Sequence, residues 1–314
     1  MSKTLKLIFV AIGLIILGGA MFFIIASANH FDFNVSQNIE KKTYNVEENF
    51  TKISIDNKTA DICFYESNEL KVEYSESDIY GYEIGVSDST LKIVCNKKKK
   101  FTMFDFGRYV LNIYMPSNKY ESLDIDNSTG EITIGKEFSF VSTNIKTSTG
   151  DINYYSNTDE SINIKISTGD LIMNEVNAKE LTVETSTGNI ELKNVNVTNS
   201  MSLTATTGKM ILTNVNAKDI YLKTSTGKKT LTNMIASNSL TIESSTGDVK
   251  FDGCDAFKID IETSTGDVTG SLLTKKNISC TTDTGKINVD EIKDTSGNEC
   301  VIKTETGDIK LQLK

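Results

Sequence analysis

Proline is nearly missing from this chain, with Pro116 the single one in 314 residues, and tryptophan is absent altogether. A proline removes a donor from a backbone ladder, so a chain almost free of it suits long uninterrupted ladders. One histidine (His30) and five cysteines leave few ligands for a zinc or iron centre. Basic residues are in the minority, with Lys plus Arg at 33 against Asp plus Glu at 42, a net charge of −9. That balance argues against nucleic acid as a partner, because phosphate binding needs a basic face. What is abundant is Ser, Thr, Asn, Ile, Val and Asp, a composition that favours strands and turns over helices.

The first residues carry a different signal. Lys3 and Lys6 precede an uncharged apolar run from Leu7 to Ala28. A helix of that length spans roughly 33 Å, which matches the hydrocarbon core of a bilayer. Ala26-Ser27-Ala28 also has the small-x-small form that a signal peptidase accepts, but a cleaved segment usually has an apolar stretch of only about 7–15 residues. Residues 1–28 are therefore read as a membrane anchor or signal segment, with length favouring the anchor. Lysines before the span and Asp32, Glu40, Glu47 and Glu48 after it place the N-terminus inside and the bulk of the chain outside. Residues 29–43 read as a polar tether.

A repeat dominates the remainder. Thr-Gly ends at Gly130, Gly150, Gly169, Gly188, Gly208, Gly227, Gly247, Gly266, Gly285 and Gly307, in steps of 19 or 20 residues until a last step of 22. Alignment on the glycine exposes apolar columns. Five residues before it stand Ile125, Ile145, Ile164, Val183, Leu203, Leu222, Ile242, Ile261, Cys280 and Ile302, and two after it Ile132, Ile152, Leu171, Ile190, Met210, Lys229, Val249, Val268, Ile287 and Ile309. Alternation by two on both sides predicts two short strands per repeat with the glycine at a corner. One unit cannot bury its apolar face alone, whereas a stack can. The expected fold is an all-β, single-chain β-solenoid of about ten 19–20-residue rungs over residues 121–314, roughly 45–50 Å long at about 4.8 Å per rung. Residues 44–120 are strand-like without the period and are expected to form an irregular capping region. Distortion is expected at Lys229, the charged member of an apolar column, and around Ser296-Gly297. The last rung, ending at Leu311-Gln-Leu313-Lys314, has no evident cap, so an exposed C-terminal edge and self-association through it are expected.

The opening Ile53-Ser-Ile55-Asp-Asn57-Lys-Thr59-Ala-Asp61-Ile62, the strand Leu111-Asn-Ile113-Tyr-Met115-Pro116 and the recurring Ser-Thr-Gly-Asp-Ile resemble the bacterial putative-adhesin family of exported β-strand-repeat proteins. The resemblance covers about residues 44–314. It implies a toast-rack-like domain of no established function, related to domains of bacterial envelope-stress proteins, and it supplies no catalytic residues.

Individual motifs read as repeat variants. Asp283-Thr284-Gly285 matches the aspartic-protease tripeptide, but that chemistry needs two such carboxylates sharing a proton, and no second Asp-Thr-Gly exists. Asp151 with Asp170, or Asp248 with Asp267, would sit one rung apart, where Ca²⁺ would relieve their repulsion. Two carboxylates supply too few of the 6–8 oxygens that ion takes, and interspersed lysines favour a solvated acidic edge. In Thr185-Ser-Thr187, Thr224-Ser-Thr226 and Thr263-Ser-Thr265 the alternation turns the first Thr inward, where stacked hydroxyls are expected to form ladders, and Ser186 outward. Ice binding would need the opposite facing.

Cys254, Cys280 and Cys300 fall in apolar positions and read as core side chains. Cys63 and Cys95 are the pair an extracellular setting would allow to join, although sequence does not show their separation. Lys97-Lys-Lys-Lys100 with Phe101, Met103, Phe104 and Phe106 forms a basic-aromatic loop suited to anionic headgroups or to a solvated hairpin tip. Asn57-Lys-Thr59, Asn196-Val-Thr198 and Asn277-Ile-Ser279 fit the glycosylation sequon, which Asn-rich repeats also produce by chance.

No catalytic, cofactor-binding or metal-binding residue is assigned. The expected role is non-enzymatic: a single-pass cell-membrane protein, tethered through residues 7–28, whose extracellular solenoid acts as an adhesin-like binding or structural scaffold. Its expected partner is an envelope protein or wall polymer. The alternatives are an envelope-stress or signalling component that docks with a membrane regulator and, less in keeping with the residues, a polysaccharide-active β-helix enzyme, which needs two acids about 5–9.5 Å apart on one face.

Overall fold

The Thr-Gly corners set the geometry. In the computed structural model their glycines hold φ between +125° and +157°, a region that a Cβ resists. Gly188 shows why nothing larger fits, because a Cβ there would stand 1.9 Å from the carbonyl oxygen of Gly169. Its N–H donates to the Thr207 carbonyl of the following rung at 2.9 Å. Repeated corner by corner, this contact stacks the rungs into an all-β solenoid of about nine turns.

The structure describes residues 16–18, 20–21, 38–98, 107–289 and 297–314. Residues 39–99 and 108–314 form one compact unit, the solenoid. The other unit, residues 1–38 and 100–107, is described mainly by helical stretches at 16–18 and 20–21. The expected anchor over residues 7–28 thus lies largely outside the described residues, as does most of the 97–106 loop. Among the described residues no helix is long and apolar enough to cross a membrane.

Strands before the glycine form one parallel sheet and strands after it a second. The first runs through Lys119–Thr129, Ser139–Thr149, Asn157–Thr168, Glu180–Thr187 and Ser200–Thr207. The second runs through Ile132–Ile134, Ile152–Tyr154, Leu171–Asn174 and Ile190–Val197. In the middle of the stack the bends between one glycine corner and the next are absorbed into continuous strands, Met210–Thr226, Lys229–Thr246 and Val249–Thr265, that contribute to both sheets. The two apolar columns meet between the sheets as the alternation predicts. Ile145, Val183 and Leu222 on one side and Ile152, Ile190 and Val268 on the other are all at most 1% exposed.

The rungs do not stack in chain order. Lys258 to Thr265 pair with Glu299–Thr306, and that strand pairs on its far side with Asn277–Thr284. The last segment of the chain is therefore inserted one place in from the end, and the rung 277–289 is outermost. This corrects the expected edge at Leu311–Lys314 in part: Leu311, paired with Val289, is buried, whereas Gln312 and Leu313 pair on one side only and Leu313 is 37% exposed. The beginning is arranged alike, since Lys52–Asn57 lies between Thr90–Lys97 and Lys119–Thr129. That end is closed by antiparallel strands, Tyr80–Ser87 on one sheet and Lys71–Glu76 followed by Glu40–Asn45 on the other. Rungs with equivalent hydrogen-bond patterns are interchangeable neighbours, which is why the period alone does not fix their order.

Two further expectations are corrected. Lys229 does not break the coil, because it keeps register with Met210 and Val249 and its side chain is wholly buried. Its ammonium donates to Ser244 Oγ, and burial lowers its pKa from 10.5 to about 8. The inward threonines face as expected, but they do not form hydroxyl ladders. Thr147, Thr185 and Thr224 alternate with Ile166 and Ala205 along their column. The hydroxyls of those three and of Thr263 have no partner.

Two substitutions test this account. Gly188→Ala is expected to cost at least about 3 kcal/mol, because it combines a strained φ with a backbone clash, whereas Gly85→Ala, with nothing within 4 Å, should stay within about 0.5 kcal/mol. Comparable melting temperatures for the two variants would contradict the corner contact. For Lys229, the folded pKa lies below the unfolded one, so its penalty is complete below about pH 8 and is relieved as pH rises towards 10.5. A depression of that size corresponds to about 3 kcal/mol. Lys229→Met should stabilise the fold at pH 7, and its advantage over the parent should shrink between pH 8 and 10.5 in denaturant titrations. Parallel pH profiles would contradict it.

Candidate binding surface

With the inward columns consumed by packing, chemistry is left to the outward ones. The column just after the glycine is a capping ladder. Asp151 Oδ1 accepts the Asp170 backbone N–H at 2.8 Å, Asp170 Oδ1 that of Asn189 at 2.7 Å, and Asn189 Oδ1 that of Lys209 at 3.0 Å. Asp248, Asp267 and Asp308 repeat the pattern towards the far end, the last accepting from Lys286 at 2.9 Å. The two acid pairs considered for Ca²⁺ do occupy adjacent rungs, but one oxygen of each residue is committed to a backbone amide. Among the described residues no group of three acid, histidine or cysteine side chains is placed to hold a metal. Asp283 is exposed on the outermost rung, in the outward position its column predicts.

A second ladder escaped the sequence reading. Asn194, Asn214 and Asn233 hold φ between +51° and +54°, which asparagine tolerates better than most residues. Their side chains join across rungs, Asn214 Nδ2 donating to Asn194 Oδ1 at 2.9 Å and Asn233 Nδ2 to Asn214 Oδ1 at 3.1 Å. The signal was there: asparagine recurs six residues after Gly188, Gly208 and Gly227. At Gly253 the same corner, φ +61°, is taken by glycine.

The remaining outward feature is aromatic. On the second sheet, near its closed end, the rings of Tyr65 and Tyr114 stack with centroids 5.1 Å apart and planes 21° apart. They belong to neighbouring strands, Ala60–Glu66 and Tyr109–Met115, on which Tyr65 registers with Tyr114. Lys71 Nζ lies 4.7 Å from the Tyr114 ring centroid and 3.0 Å from Glu73 Oε1, and Tyr114 Oη donates to Glu73 Oε2 at 3.1 Å. The hydrogen bond from Lys71 holds the Glu73 carboxyl below its usual pKa, and the same bond raises that of Lys71. Both tyrosines are pushed up by desolvation, Tyr65 further by Cys63 and Tyr114 by Glu73. Tyr65 is 43% exposed. The arrangement offers a rigid ring face to solvent beside a cation and several hydrogen-bonding groups, the combination that anchors partners at recognition surfaces.

All five cysteines are free. Cys63 and Cys95 belong to different sheets: Cys95 is buried opposite Tyr82, and Cys63 registers with Asn112 and Thr133. Cys254 and Cys300 are core side chains as expected, whereas Cys280, on the outermost rung, is only partly covered. Of the sequon asparagines, Asn57 is wholly buried and donates to the Ala60 carbonyl and to Asn127 Oδ1, which closes it to modification. Asn196 and Asn277 are exposed.

A comparison with curated proteins returns no match. Among solved structures, a putative adhesin from Parabacteroides distasonis aligns over 76% of this chain and 98% of its own, at 13% identity and a TM-score of 0.52, and shares the fold. A putative adhesin from Bacteroides fragilis aligns over 88% of this chain and 98% of its own, at 15% identity and a TM-score of 0.45. The Toastrack DUF4097 family model matches residues 50–210 and 198–314, well over half of the chain, and the chain belongs to that family.

Proposed function

We propose that this protein is a non-enzymatic cell-surface solenoid, tethered to the membrane through residues 7–28, that binds an envelope protein or wall polymer in the manner of an adhesin. The putative-adhesin name of the similar Parabacteroides distasonis structure supports a surface binding or scaffold role. The observation that carries the reading is the Tyr65–Tyr114 pair with Lys71. Solvent-facing stacked rings on a stiff sheet give contact area at little entropic cost, because two-angle side chains held by neighbours lose little on binding. Backbone pairing of Tyr109–Met115 with Ala60–Glu66 on one side and Lys71–Glu76 on the other holds the strands that carry them, so the patch is presented ready-made.

The test is recovery of cell-envelope material on the full-length protein in detergent. Changing Tyr65 and Tyr114 together to alanine should lower recovery of the bound polymer or protein at least tenfold while circular dichroism stays unchanged. Undiminished recovery would remove the patch from the reading. Protease added to intact cells should digest the solenoid from outside, and full protection would overturn the surface location.

A further inference from the structure

Residues 277–289 form a rung like the others, yet this rung lacks a neighbour on one side among the described residues. Asn277–Thr284 pairs with Glu299–Thr306 alone, and Ile287–Val289 with Ile309–Leu313 alone. Ile287 is 48% exposed in a column whose other members, from Ile132 to Ile309, are buried. Ile278, Cys280 and Val289 are likewise only partly covered. Elsewhere each corner glycine, and the residue two after it, donates an N–H to the next rung, as Gly307 does to Thr284 and Ile309 to Lys286. By the same pattern the N–H groups of Gly285 and Ile287 are directed off the end of the stack.

We propose that this end docks on the same end of a second copy, giving a closed dimer about a twofold axis through the Gly285 corner. Such an axis lays the strand before the corner antiparallel to the strand after it in the partner. Residue 284 then opposes 285, 283 opposes 286, 282 opposes 287, 281 opposes 288 and 280 opposes 289. Inward side chains meet inward ones in this register, Thr282 against Ile287 and Cys280 against Val289, so the two cores become continuous. Outward, Asp283 meets Lys286 twice, once on each side of the axis, and Thr281 meets Asn288. An isologous contact must be self-complementary in this way. Head-to-tail growth is blocked at the other end, where Tyr80–Ser87 and Glu40–Asn45 run antiparallel over the first rungs.

The experiment is sedimentation velocity of the full-length protein in detergent over a range of concentrations, with circular dichroism of each variant. The parent should be a concentration-dependent dimer. Lys286→Glu puts like charges at both contacts and should weaken dimerisation at least tenfold, and Asp283→Lys should do the same. An equimolar mixture of these two variants should restore the dimer. On one side of the axis the retained Asp283 of one copy then meets the retained Lys286 of the other. On the other side the two introduced side chains, again a carboxylate and an ammonium, face each other. That restoration also separates this contact from any association through the apolar N-terminal residues, which both variants share. A parent that stays monomeric, masses that grow beyond two copies, association indifferent to either substitution, or a mixture that remains monomeric would each overturn the proposal.

Discussion

Everything regular in this molecule depends on one close approach, the carbonyl of each corner glycine lying where the next glycine's Cβ would be. The contact runs unbroken from the Ala60 carbonyl through Gly130 to Gly266, then to Gly307 and Gly285. Because the glycine N–H must also reach a threonine carbonyl one rung on, the corners are locked in register. Register in turn decides facing, since a slip of one residue would turn every apolar side chain of a strand to water. The corner is therefore the origin from which the inward columns, the capping carboxylates and the spacing of rungs are all measured.

What surrounds the corner is more forgiving. Along the inward column three residues before the glycine, Asn57 and Asn127 fill the first rungs, where Asn127 Nδ2 reaches the Gly130 carbonyl at 2.9 Å. Thr282 does the same for Gly307 at 3.0 Å from the outermost rung. Between them the same place is taken by Ile166, Ala205, four threonines whose hydroxyls have no partner, Ser244 beneath the Lys229 ammonium and Thr304, which donates to the Gly266 carbonyl at 3.3 Å. A column that tolerates asparagine, threonine, isoleucine and alanine is being held by its neighbours rather than holding them. Outward, the cross-rung pairs Lys165–Glu184 at 3.0 Å and Lys223–Glu243 at 2.8 Å are largely exposed and add little individually. Their use is to interrupt what would otherwise be stacks of like charge.

Legibility in the sequence follows the same division. The period, the corner and the facing of residues such as Val183, Leu222 and Ile261 were readable because each is a local property repeated many times. The asparagine corner was readable in principle from Asn194, Asn214 and Asn233, but it lies outside the apolar alternation that organised the reading. The order of the rungs was not readable. Gly307 offers its neighbours the same donors and acceptors as Gly285, so nothing local states which of them stacks on Gly266. Only the step of 22 residues departs from the period where chain order and stacking order part; the distortion expected around Ser296-Gly297 lies at the edge of residues 290–296, outside the described residues. The Tyr65–Tyr114 patch was hidden for a related reason: its residues share a face only because the first strands of the chain are threaded between later ones.

The insertion of Lys52–Asn57 and of Glu299–Thr306 has an energetic logic. A strand at the end of a stack has a ladder on one side only, and it frays first. Here Lys52–Asn57 and Glu299–Thr306 are each flanked on both sides, so opening either requires breaking two ladders. The outer places are taken instead by Thr90–Lys97 at one end and Asn277–Thr284 at the other. Antiparallel strands then cover the first of these, and the second is left with apolar side chains at a sheet edge, the feature that proteins otherwise blunt to avoid uncontrolled pairing. Lys286 at its corner offers no carboxylate to accept another rung's amide, but Lys209 and Lys228 hold the same place inside the stack, so that lack alone does not stop a further rung. An antiparallel rung from a second copy brings Asp283 opposite that lysine. The same residue therefore supplies the charge pairing for a finite, symmetric contact.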